Sequence, residues 1–100
     1  MALVVRWSPR AARQFEGILE YIGNDSERYA RIFARQVIHV VHAIRLRPML
    51  HRMVPEYGDP DLRERIHRGY GIVYRLKPDA VEIAAICHGS RLIEHALGED

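Results

Sequence analysis

Near its C-terminal end the chain reads Ile86-Cys87-His88-Gly89-Ser90-Arg91, while Arg63 and Arg65 alternate along one earlier extended stretch and Arg75 lies on the next. Residues of these types could break a phosphodiester without a metal. That reaction needs a base for the 2′-hydroxyl, cations to stabilise the charged phosphorane, and an acid for the leaving oxygen. Arginine supplies only the second of these. Among the candidates His88 alone has a pKa in the useful range, so the chemistry would rest on His88 with Arg65 and Arg91, gathered by antiparallel pairing of their strands. Each also has a plainer reading. His88 could close a strand by bonding nearby backbone, and Arg75, beside Tyr74 on an interior strand, reads as a structural arginine paired with an acid such as Glu64 or Glu82. Tyr74 and Tyr70 read as packing, because they lack the interleaved aromatics of single-strand binders.

A second group could bind rather than react. From about Glu27 to Leu46, at 100° per residue, Phe33, Val37, Val40, Val41 and Ile44 fall in one stripe. Arg28, Arg31, Arg35, His39 and His42 collect on the opposite side, with Arg45 at the edge. No acid interrupts residues 28 to 55. A one-signed helix face lacks the i to i+4 ion pairs that usually neutralise a solvated helix, so it is open to an acidic partner. Of the 15 basic residues only Lys77 is a lysine. Arginine's planar fork grips carboxylates and phosphates, although a codon bias would also raise its share.

The elements that must position these groups follow from the pattern. With 100 residues, 48% hydrophobic and 28% charged, residues 1–100 are expected to form one globular domain with one modest core. The lone Cys87 makes no intramolecular disulfide, and no spacing of cysteines and histidines suits a metal, so no cofactor is expected. No apolar run reaches membrane-helix length, and the start MALVVRWSPR is unlike a secretory signal; a cytoplasmic chain is expected. Residues 3 to 7 read as a strand. Ser8 caps and Pro9 opens a helix bearing Ala12, Phe15, Leu19 and Ile22 on one face, which Gly23-Asn24 ends. Asp25 or Ser26 starts the second helix after a very short turn, making an antiparallel hairpin. Pro48 to Pro60 reads as an irregular connection. Strands follow over Leu62 to Arg68, Tyr70 to Lys77 and Val81 to His88, with turns at Gly69 and Pro78-Asp79. In the last strand Val81, Ile83, Ala85 and Cys87 are expected on one face, Ala84 and Ile86 on the other. Leu92 to Leu97 could add a short helix or strand. The expected fold is α+β: a helical hairpin on a mostly antiparallel four-stranded sheet, in the order strand, two helices, three strands.

In that order and spacing, several motifs resemble the RelE/ParE superfamily of type II toxin–antitoxin toxins, most closely its ParE branch. They are Ser8-Pro9 with Ala12 through Tyr21-Ile22; Ala30, Phe33, Val37 and Leu46 to Pro48; Val54-Pro55-Glu56 with Leu62-Arg63-Glu64; Ile72-Val73-Tyr74-Arg75; and His88-Gly89 with Arg91. The resemblance implies a small cytoplasmic toxin held in a hetero-oligomer by a cognate antitoxin, ParD-like and of the ribbon-helix-helix kind, and a role in plasmid stabilization. ParE-like proteins are described as poisons of DNA gyrase, acting by protein contact; RelE-like proteins cleave mRNA on the ribosome. RelE-like enzymes are described as using a tyrosine near the C-terminus, and the segment after His88 has none, which favours the gyrase reading. A third reading is an inactive partner-binding module. Under the binding readings, Arg28, Arg31, Arg35, His42 and Arg45 meet the antitoxin or the target.

Overall fold

The computed structural model describes residues 3–55 and 57–89. Glu56, Arg91, the Leu92 to Leu97 segment and the acidic end therefore lie outside the described residues.

Strand β1 (Val4–Trp7) runs into helix α1 (Pro9–Asp25) through Ser8, whose Oγ accepts the Ala11 amide at 3.0 Å while Pro9 occupies the first turn. The cap satisfies one of the free amides of that turn. Helix α1 runs past Gly23-Asn24 to Asp25, since a glycine weakens a helix without ending it. Ser26 both ends α1 and begins α2 (Glu27–Leu46). Its amide donates to the Ile22 carbonyl at 3.0 Å, and its Oγ accepts the Tyr29 amide at 3.0 Å. One residue thus makes the whole turn of the hairpin. Gly23 on α1 faces Ala30 on α2, and a Cβ built at Gly23 would lie 3.8 Å from that of Ala30, an ordinary packing contact.

The C-terminal strands are β3 (Leu62–His67), β4 (Tyr70–Leu76) and β5 (Ala80–His88). The β3–β4 hairpin turns on Arg68 and Gly69, at φ 52° and 83°, the two positive dihedrals that match the twist of a two-residue turn. The sheet has five strands rather than four, in the order β1-β5-β4-β3-β2, with β1 parallel to β5 and the other pairs antiparallel. The additional strand is β2, only Arg52–Met53, inside the stretch expected to be irregular. Side chains hold it there. Arg63 donates to the carbonyls of His51 at 2.8 Å and Met49 at 3.3 Å, and the Tyr74 hydroxyl donates to the Pro48 carbonyl at 2.7 Å.

Helix α2 faces the sheet with the expected stripe: Phe33, Val37, Val40, Val41 and Ile44 are buried. Each contributes roughly 1.5–3 kcal/mol relative to exposure, so packing rather than intrinsic propensity sustains the helix. On α1 the deeply buried alanine is Ala11 rather than Ala12, and Phe15, Ile18, Leu19 and Ile22 extend its face, with Phe15 stacked on Trp7 at 5.2 Å.

The last strand departs from simple alternation. A bulge at Ala84 lets Val73 pair with Ala85 and Tyr74 with Ile83. Val81, Ile83 and Ile86 therefore face the helices, whereas Ala85 and Cys87 join Val54, Leu62 and Val73 on the opposite face. The expected grouping of Val81, Ile83, Ala85 and Cys87 is corrected, because one extra residue reverses every side chain beyond it. Helix α1 supports the irregular segment: the Ser8 hydroxyl donates to the Ala84 carbonyl at 3.2 Å, and the Ile86 amide donates to Gln14 Oε1 at 2.9 Å. Beyond Trp7 strand β1 no longer pairs with β5, and these two side chains take over its polar backbone groups.

Candidate functional site

The outward face of α2 carries Arg28, Arg31, Arg35, His39 and His42, all exposed, and no acid among the described residues pairs with the three arginines. Arg45 is different. It is half-buried and donates to the Leu3 carbonyl at 3.2 Å, tying the helix to the start of β1. Between the basic residues runs an apolar strip in which Ile38 is 56% exposed; Ala34, Ile38 and the flanking Arg35, His39 and His42 line a shallow groove of about 470 Å³. An apolar seam flanked by an arginine without an acidic partner and by two imidazoles suits an amphipathic acidic segment.

A second recess lies where α2 crosses the edge of β3. Arg35, Gln36, His39, Val40, Arg65 and His67 line a cleft of about 490 Å³. His67 Nε2 lies 3.1 Å from Gln36 Oε1, and its ring packs on Phe33 at 6.2 Å. Burial, then Arg68 and Arg65, lower the His67 pKa below the ordinary histidine value; burial and Arg65 do the same to His51. The alternation of Arg63, Arg65 and His67 signalled one basic face of this strand. That α2 would bring Gln36 and His39 against that face depended on how the helix crosses the sheet.

His88 stands elsewhere. It is exposed at the end of β5, edge-on to Tyr70 at 4.9 Å, and shares with Gln14, Gly17, Ile18, Tyr21, Tyr70, Ile86 and Cys87 a cavity of about 540 Å³ beside α1. Strand β4 separates it from β3, and Phe33, whose ring lies 6.2 Å from that of His67 and 5.1 Å from that of Tyr70, stands between the two recesses. Arg65 and His88 therefore line different cavities, and Arg91 lies outside the described residues.

The two residues expected to be structural are both engaged. Tyr74 is fully buried with its hydroxyl on Pro48, and burial pushes its pKa up to about 12. Arg75 donates to Asp59 Oδ2 at 2.9 Å, so neither Glu64 nor Glu82 is its ion-pair partner. Its side chain is 40% exposed at the sheet end and reaches the loop before β3. Asp59 is held below the usual carboxylate range by the Asp61 amide and then by Arg75. Glu64 is instead buried against Arg52, and Glu82 meets Lys77 at 3.8 Å. Cys87 is buried, and desolvation, reinforced by Glu64, raises its thiol to about 11, far from a nucleophile's range. Among the described residues no cluster of three or more histidine, cysteine or acidic side chains could hold a metal, and no helix is long and apolar enough to cross a membrane.

Fold and surface together define a small basic α+β protein, with a helical hairpin on a mixed sheet and an arginine face that no acid among the described residues neutralises. The solved structure titled "Chromosomal ParDE TA system from P. aeruginosa" shares this fold at a TM-score of 0.72 and 16% identity, over 88% of this chain and 97% of that one. The family described as "ParE toxin of type II toxin-antitoxin system, parDE" matches residues 5–93, and the chain belongs to it. No curated protein sequence matches the chain.

Proposed function

We propose that this toxin arrests growth by poisoning DNA gyrase through protein contact, in the cytoplasm, and is silenced by a cognate antitoxin in a hetero-oligomer. Membership of the ParE family over residues 5–93 is the observation that carries the reading. The separation of Arg65 from His88 by β4 supports contact over cleavage, since a shared phosphorane would need both within reach. The antitoxin, ParD-like and ribbon-helix-helix, lays an acidic amphipathic segment on Arg28, Arg31 and Arg35, with apolar residues in the seam around Ile38. Supercoiling by purified gyrase tests the target: the toxin inhibits the reaction and traps cleaved DNA, and unchanged supercoiling with no trapped complex refutes it. Charge reversal at Arg31 and Arg35 tests the antitoxin surface, with binding expected to weaken and to lose salt dependence.

A further inference from the structure

The cleft between α2 and β3 contains more cation than the fold uses. Arg65 has no acidic partner among the described residues and lies close enough to His51 and His67 to disfavour protonation of both. Arg35 and His39 approach from the opposite wall, and the cleft is open to solvent. Other arginines of the sheet are neutralised: Arg52 by Glu64, Arg75 by Asp59, and Arg63 by three backbone carbonyls. The cleft is therefore a place on the sheet where donors from two elements come together with no acidic acceptor among the described residues.

From this convergence we infer that the cleft is a binding site for a phosphate group, held by Arg65 and His67 on β3 and by Arg35 and His39 on α2. A carboxylate is planar and is satisfied by one guanidinium fork, whereas tetrahedral phosphate presents oxygens to donors on both walls. His67 is oriented for this role by Gln36: with Nε2–H donated to Gln36 Oε1, Nδ1 is left for a proton that a bound dianion would stabilise. The group could belong to free phosphate or to a nucleic-acid backbone; the recognition chemistry is the same.

The test uses the purified chain and follows its histidine ring resonances near neutral pH. Inorganic phosphate is added at constant ionic strength against chloride, then a short single-stranded oligonucleotide. Saturable shifts at His67 and His39 with a dissociation constant in the low millimolar range are expected. Arg65→Gln should weaken binding about tenfold or more, the usual loss for a charge-assisted contact. Arg35→Gln, on an exposed position of the other wall, should act in the same direction and guards against misfolding of the first variant. Displacement of phosphate by the oligonucleotide identifies a backbone ligand, with a salt slope that falls by about 0.7 when one contact is removed. Saturable phosphate binding without displacement identifies free phosphate. Shifts that stay linear to about 50 mM with both probes overturn the inference. So does binding that both substitutions leave unchanged.

Discussion

Arg52→Ala should be among the most damaging single substitutions in the chain, although Arg52 is itself exposed. Glu64 is 1% exposed on the face of the sheet away from the helices, directly across from Val73 and from Arg52. Both Nε, at 2.7 Å, and Nη2 of Arg52 donate to Glu64 Oε2, and Glu64 Oε1 has no hydrogen-bond partner. Removing the guanidinium leaves a buried carboxylate with neither charge nor donor to oppose it. Charges about 4 Å apart at an effective dielectric near 20 interact by about 4 kcal/mol. Because 58% of the Arg52 side chain meets water, screening reduces the expected cost to about 3 kcal/mol, the low end for breaking a buried pair. In a domain whose total stability is about 5–15 kcal/mol, that loss lowers the melting temperature by roughly 12–24 °C. Equilibrium urea unfolding reads it directly, as a drop in midpoint with an unchanged slope. Glu64→Leu is the decisive companion. It removes the buried charge and packs against Val73, so it should be nearly neutral, and combining it with Arg52→Ala should restore most of the lost stability. A cost under about 0.5 kcal/mol for Arg52→Ala, or no recovery in the double variant, would refute the reasoning.

Ser8→Ala should cost about 1–2 kcal/mol by denaturant unfolding, since it removes both the helix cap and the bond to the bulge carbonyl of Ala84. Tyr74→Phe should cost about 1 kcal/mol by releasing the Pro48 carbonyl. In the unsubstituted protein, Tyr74 should ionise only near pH 12 by ultraviolet titration. For His51 and His67 the folded pKa lies below the unfolded value, so the unfolded chain binds more protons through the window beneath the model-peptide value of about 6.5. Stability should therefore rise with pH across that window and fall as acid protonates the two rings. Substituting both with Gln should flatten that part of the profile, and an unchanged slope would show that neither ring is responsible.

Local chemistry was sufficient wherever an element depends on its own residues. Ser8-Pro9 opens α1 because cap and proline act within one turn, and the spacing from Phe33 to Ile44 specifies the buried face of α2 because helical geometry maps sequence onto angle. The basic face of α2 was legible for the same reason. What the chain order could not convey depends on neighbours far along it. The Ala84 bulge moves Ala85 and Cys87 to the other side of the sheet, and its support comes from Ser8 and Gln14, more than 70 residues away. Arg45 looked like part of the open arginine face, yet its long side chain finds the Leu3 carbonyl. Arg75 chooses Asp59 over Glu64 or Glu82 because loop and strand positions, rather than charge alone, determine which carboxylate is within reach.

By itself, then, the sequence determined the helical hairpin, the order of the four longer strands along the chain, the one-signed surface and the likeness to a toxin family, all of which arise from short-range periodicity and residue type. Only the tertiary structure decided that Arg65 shares a cleft with His67, Gln36 and His39 rather than with His88. That choice follows from the crossing of α2 over the β3 edge and the interposed strand β4, and side-chain alternation within one strand carries no information about either.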